Sequence, residues 1–163
     1  MPDRPTVSNT SPLLYLALVG QLDLLAQLYG ELWVPPGVLA ELKVGAERGV
    51  EVPDIRALPW ITAKPLASDS SIPLVTDLGR GEAEVIALGL EIPHSRLILD
   101  DRLGRRIAEL HGLHFTGTAG VILKAKQAGL LVAVSPVISS LRQAGLWLSD
   151  VFVAEILRQA GEA

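Results

Sequence analysis

The chain has 163 residues, a length that suits one domain and buries roughly 70% of its unfolded surface without disulfides or a structural metal. It contains no cysteine, which excludes zinc knuckles, iron–sulfur clusters, thiol catalysis and a disulfide scaffold, and fits a reducing cytoplasm. With 49% hydrophobic and 20% charged residues it is too apolar to be disordered; a net charge of −4 argues against coating duplex DNA through bulk electrostatics, and 4% aromatics are too few for a base-stacking platform.

Met1-Pro2-Asp3-Arg4-Pro5 offers no basic n-region and no cleavage site after an apolar segment, so no secretory signal is expected. Thr6-Val7-Ser8 reads as a short first strand ending at Asn9. Ser11 before Pro12 predicts a helix start, with a capping hydroxyl and proline at the first helical position. Leucines from Leu13 to Leu28 continue an apolar face through Gly20, which separates two helical pieces; Gln21 and Asp23 interrupt the apolar run, so no membrane span is expected. Leu32 to Val34 is a second strand, stopped by Pro35-Pro36, and Val38, Leu39, Leu42 and Val44 carry a short helix. The stretch from Gly45 to Leu78 is rich in Pro, Asp and Ser and reads as a variable connection with a strand around Trp60 to Ala63.

Periodicity returns at Gly81 and predicts a helix through Leu90, then the strand Leu97-Ile98-Leu99 and the doublet Asp100-Asp101. A helix over Leu103 to Leu110, a strand at His114-Phe115, a turn at Gly117 to Gly120 and a helix over Val121 to Ala128 follow. Pro136 opens a helix to Ala144, and Ser149 caps a last amphipathic one carrying Phe152 and Ile156. Residues 1–163 are read as a single domain, in which the C-terminal helices of 133–163 pack on the core or on a partner. Short apolar strands, each followed by a helix, predict an α/β fold, a three-layer α/β/α arrangement around a mostly parallel sheet. Chemistry in such sheets gathers beyond the carboxyl ends of the strands.

That rule selects Asn9 after the first strand and Asp100 and Asp101 after the strand at Leu97 to Leu99. Glu82 and Glu84 lie in the first turns of the helix at Gly81, and Glu41 lies on the helix after Pro36. Together they could form one acidic pocket, costly unless a cation neutralises it, and hard oxygen donors point to Mg²⁺ or Mn²⁺. Each residue also has a plainer reading. The helix dipole favours Glu82 and Glu84 by about 0.3 to 1 kcal/mol, Asn9 suits a turn, and Glu41 alone is a solvated helix residue. One of the two aspartates caps a helix, which leaves the other needing a second reason. Arg102, Arg105 and Arg106 recur at i, i+3 and i+4, so one helical face could receive phosphates, with Lys124 and Lys126 adding to it and Arg80 at the rim. Balancing of nearby acids is the alternative. His94, His111 and His114 lack metal-site spacing, and there is neither a P-loop nor a GxSxG.

Val7-Ser8-Asn9-Thr10-Ser11-Pro12-Leu13, Val34-Pro35-Pro36 leading to Glu41-Leu42, Gly81-Glu82-Ala83-Glu84 and Leu99-Asp100-Asp101-Arg102 resemble the PIN domain ribonucleases. The resemblance is closest to the small prokaryotic branch related to the toxins of toxin–antitoxin pairs, and it spans about residues 6 to 132. It implies a cytoplasmic endoribonuclease that hydrolyses phosphodiester bonds of single-stranded RNA with Mg²⁺ or Mn²⁺. By the same resemblance Asn9, Glu41, Glu82 and Asp101 or Asp100 hold the metal, and Glu84 could compensate as an extra ligand for the charge that Asn9 lacks. Glu41, Glu82, Asp100 and Asp101 are then the catalytic set, and Ser11 and Thr118 hydroxyls stand behind the ligands. The departure is Asn9, where the family usually has aspartate; the missing charge lowers metal affinity. An antitoxin protein is the implied partner. Mean hydropathy of +0.39 adds the expectation of a homodimer. The competing expectation is a PIN-like nucleic-acid or protein binding module with weak catalysis. A phosphoacceptor signalling domain would want an aspartate pair after the first strand, which this sequence lacks.

Overall fold

A computed structural model describes residues 4–69, 72, 73, 75 and 77–163; the reading of Met1 to Asp3 and parts of the 45–78 connection lie outside the described residues. Five strands, β1 (Thr6–Ser8), β2 (Leu32–Val34), β3 (Ile61–Ala63), β4 (Arg96–Ile98) and β5 (His114–Thr116), form one sheet in the order β3-β2-β1-β4-β5. Every pairing is parallel, where the sequence predicted a mostly parallel sheet. The ladder runs one residue past two strand ends, since Asn9 N–H donates to Ile98 O and Leu99 N–H to Thr116 O, each at 2.9 Å. Leu99 therefore continues β4, as its apolar character suggested.

The helices are α1 (Thr10–Leu18), α2 (Asp23–Tyr29), α3 (Pro36–Glu47), α4 (Arg80–Glu91), α5 (Arg102–Leu110), α6 (Thr118–Gln127), α7 (Ser135–Gln143) and α8 (Asp150–Gln159). A 3-10 turn at Ile55–Ala57 precedes β3. α4 packs on β1 and β4 and touches α3 and α5, while α6 touches α1, α2, α7 and α8. The sheet lies between, giving three layers, α/β/α. The central strand explains this burial, because all of Thr6, Val7 and Ser8 are inaccessible to solvent. Its buried hydroxyl at Ser8 is satisfied locally by donating to Asn9 O at 3.0 Å. Among the described residues no helix is long and apolar enough to cross a membrane.

Three sequence expectations change. The first helix starts at Thr10, so Asn9 and not Ser11 holds the capping position, and the Asn9 side chain makes no capping bond. The helix after Pro36 runs through Gly45 to Glu47, longer than the apolar positions alone suggest. Gly117 to Gly120 is not a separate turn: Gly117 is extended and α6 begins at Thr118, where Asp100 supplies the acceptor that the first N–H lacks within the helix. By contrast, Gly20 adopts φ +72 between α1 and α2, and Ser149 Oγ accepts from Phe152 N–H at 3.1 Å to cap α8, both as read from sequence.

The strand order fixes where a site can form. From β1 the chain moves outward to β2 and β3, then crosses back to β4 on the other side of β1. The carboxyl ends of β1 and β4 therefore flank the switch point at which crevices open in such sheets. Asn9 leaves one of these ends; Asp100 and Asp101 leave the other.

Candidate functional site

Asn9 is 2% exposed, and its Oδ1 is buried without a hydrogen-bond partner. An unsatisfied buried amide oxygen costs about 1–3 kcal/mol, so it calls for a donor or a cation. What it faces is the start of α4. A Cβ on Gly81 would lie 3.1 Å from Asn9 Oδ1 and would collide with Glu41 Oε1. Glycine here lets the α4 N-terminus approach both groups.

Glu41, on α3, is half-buried and held by both oxygens, contrary to a solvated helix residue. Oε1 accepts from Thr10 Oγ1 at 2.5 Å and Oε2 from Gly81 N–H at 3.0 Å. Glu82 follows Gly81, and its carboxyl accepts from the Gly79 N–H, the return bond that a glutamate at the third helical position makes to the capping residue. Glu41 Oε2 and Glu82 Oε1 both border Gly79, at 3.7 and 3.8 Å from a Cβ built there. Burial first, then the charge of Asp101 and a hydrogen bond to it, then the charge of Glu41, push the Glu82 carboxyl up to about 7. Glu82 and Asp101 thus lie within hydrogen-bonding reach of each other.

The aspartate doublet divides its work. Asp101 Oδ2 caps α5 by accepting from Gly104 N–H at 2.8 Å, while the carboxyl also meets Glu82. Asp100 turns to α6: Oδ1 accepts from Thr118 N–H at 2.7 Å and Oδ2 from Thr118 Oγ1 at 2.6 Å. That is the second reason the doublet needed. Glu84 is buried and engaged elsewhere, accepting from Gly37 N–H at 2.7 Å and from Arg80 Nε at 2.8 Å. It clamps α3 to α4, and Arg80 belongs to that clamp.

The six acidic and amide groups picked from sequence are therefore split. Asn9, Glu41, Glu82 and Asp101 converge around Gly79 to Gly81, whereas Asp100 and Glu84 spend both oxygens on neighbouring helices. Among the described residues no three histidine, aspartate or glutamate side chains are already set as metal ligands; Glu41 is bonded to Thr10 and Gly81, and Asp101 to Gly104. The donor chemistry of the converging four still fits a hard divalent cation. All are oxygens, one is a buried acceptor without a donor, and Glu82 carries a raised proton affinity that a cation in its place would relieve.

A cleft of about 1230 Å³ opens beside this group. Ser11, Glu82, Asp100 and Asp101 line one part of it, and Arg102, Arg105 and Arg106 of α5 line another. The arginine face read from sequence thus borders the acids. Arg105 stacks on Phe115, 5.0 Å from the ring centroid, and its Nε is buried without a partner. Lys124 does not line the cleft; it sits 5.4 Å over the Tyr29 ring, where burial, then Arg96 and Arg4, lower its pKa. Lys126 pairs with Glu162 at 2.7 Å. Neither lysine joins the arginine face.

Sequence reasoning missed the aromatic content of this cleft. Of three Trp, two Tyr and two Phe in the chain, Tyr15, Phe115, Trp147 and Phe152 line it. A low overall percentage gave no hint of that concentration. A visible signal was Gly145-Leu146-Trp147-Leu148-Ser149, an indole between a helix stop and a helix cap. Thr10 was missed as well, although a threonine beside Asn9 has a hydroxyl to offer a nearby carboxylate.

A five-stranded parallel sheet carrying oxygen donors at its switch point, next to an arginine-lined cleft, has the layout of a nuclease. A family model described as PIN domain matches residues 5–162, and the chain belongs to the PIN domain family, whose members are in general metal-dependent nucleases. No curated protein matches the chain.

Proposed function

We propose that the protein is a metal-dependent endoribonuclease that cleaves single-stranded RNA. The observation that carries this reading is the meeting of Glu82, Asp101 and Glu41 with the orphaned Asn9 Oδ1 around the α4 N-terminus. These four would hold Mg²⁺ or Mn²⁺, which when bound supplies a water of lowered pKa and neutralises charge on the scissile phosphate. The chain's own residues do the remaining work. Thr10 and the Gly81 N–H fix the Glu41 carboxylate, Gly104 N–H fixes Asp101, and Asp100 anchors α6 against β4 through Thr118. Arg102, Arg105 and Arg106 bind and orient the phosphates along the cleft. The neutral amide at Asn9 leaves the centre one charge short, which supports a site of modest metal affinity.

The resemblance to toxins supports a toxin role in a toxin–antitoxin pair, for which a small DNA-binding partner encoded alongside is the test. Exposed Leu110, Val132 and Val151 support a homodimer, and a monomeric mass in solution scattering would remove it. A cysteine-free chain supports a cytoplasmic setting.

The decisive assay is cleavage of end-labelled single-stranded RNA with Mg²⁺ or Mn²⁺ and with chelator. The reading expects metal-dependent cleavage, reduced at least about 100-fold in folded Glu82→Gln and Asp101→Asn proteins. A protein that binds RNA but cleaves none with either ion is a binding module instead.

A further inference from the structure

Trp147 is 82% exposed, yet the loop that carries it between α7 and α8 is pinned on both sides. Leu146 is buried, and its N–H donates to Leu141 O at 3.0 Å. On the other side, Leu148 O accepts from Arg142 Nη2 at 2.5 Å and Ser149 caps α8. Gly145, at φ +108, turns the chain beside the Tyr15 hydroxyl, a conformation that side-chain-bearing residues rarely adopt. The indole is thus held in water by a built loop rather than left there by slack chain. Tryptophans usually gain burial, so an exposed indole carried on a pinned loop is suited to meet a ligand.

The ring stands on the cleft that also presents Phe115, Phe152 and Arg105. Charge decides what kind of ligand suits it. Among the described residues no ion pair engages Arg102, Arg105 or Arg106, and the Arg105 Nε is buried without a partner. Unpaired guanidinium groups beside flat rings match a chain of phosphates with bases that have free faces. A duplex hides those faces; a single strand does not.

We propose that Trp147 stacks on a nucleobase of a single-stranded nucleic acid whose phosphates lie along Arg102, Arg105 and Arg106. The inference rests on the nuclease reading and gives its substrate a docking direction, from the α7–α8 loop toward Glu82 and Asp101. Trp147 is a positioning residue: it touches a base away from the reacting phosphate. Exposed Val151, four residues further along the chain, would also suit a protein partner, but such a surface leaves the three arginines without a counterpart.

The test is fluorescence anisotropy of short labelled single strands, RNA and DNA, in chelator so that no cleavage occurs, with an abasic strand of the same length as control. Wild-type protein is expected to bind a single strand of either sugar, and Trp147→Ala to weaken binding about 5- to 150-fold. Trp147→Phe should retain most of the affinity. The abasic strand should bind wild type weakly and lose nothing further in Trp147→Ala. If wild type binds and cleaves RNA while Trp147→Ala binds within about twofold of it, less than a stacked base is worth, the stacking assignment is overturned and the nuclease reading stands. If wild type binds no strand, both fall. If strand affinity is unchanged but Trp147→Ala turns a dimer into a monomer in sedimentation, the ring is a protein contact and the proposal is wrong.

Discussion

Glu82 on α4 meets Asp101 at the start of α5, and burial, then the charge of Asp101, push the Glu82 carboxyl up to about 7. The raised value reverses the usual dependence for a glutamate. A folded-state pKa of about 7, against 4.5 for the ordinary group, gives stabilisation that is complete below pH 4.5 and is lost as pH rises through 7. In chelator, Glu82→Gln, which keeps the hydrogen bond without the charge, should gain about 1 kcal/mol at pH 8, a figure discounted for the half-exposed setting. That is a rise of about 2 to 4 °C in Tm, with no gain at pH 4. Thermal melts by circular dichroism at the two pH values check it, and an equal shift at both would contradict it.

Asn9 supplies an oxygen without charge. Asn9→Asp should bind Mn²⁺ at least about tenfold more tightly, because affinity at oxygen sites follows the ligand charge. In chelator the same change should cost about 2 kcal/mol, since a buried carboxylate would then face Glu41 and Glu82 without a counter-ion. Calorimetric titration and urea unfolding read the two effects, and tighter binding must accompany lower stability for the placement of Asn9 to hold.

Gly81 lies in the first turn of α4, where alanine would ordinarily favour the helix by about 1 kcal/mol. Here a Cβ collides with Glu41 Oε1 and crowds Asn9 Oδ1. Gly81→Ala should therefore lose about 1–3 kcal/mol in urea unfolding, as overpacking does, and weaken Mn²⁺ binding. A more stable variant would mean that the two side chains do not converge there.

Asp100 and Asp101 should separate by experiment. Asp100→Ala removes both acceptors of Thr118 and should cost about 2 kcal/mol of stability, the upper end for a helix cap, while Mn²⁺ affinity changes little. Asp101→Ala loses one capping bond, about 1 kcal/mol, and most of the metal affinity. Denaturant midpoints and calorimetry on the same preparations compare them.

The same pair shows what the sequence could and could not carry. Both aspartates were legible as residues at the end of β4, because an apolar run followed by acids marks a strand edge. Which one faces Glu82 was not, since that depends on where the start of α6 lies against the end of β4, which only the packed sheet fixes. Glu84 was likewise visible as an acid near the start of α4, but its bond to Gly37 joins segments 47 residues apart. Lys124 looked like part of the basic face until α6 turned it toward Tyr29. The order of helices and strands was readable from apolar periodicity, a local signal. The start of α6 was not, because its first N–H is satisfied by Asp100 from another element.

The most direct measurement is a crystal structure grown with Mn²⁺ and recorded at a wavelength where the ion scatters anomalously. The account predicts one strong anomalous peak bounded by the carboxylates of Glu82, Asp101 and Glu41 and by Asn9 Oδ1. Saturating Mn²⁺ with no peak among these four residues, or with the ion held only elsewhere, would contradict it.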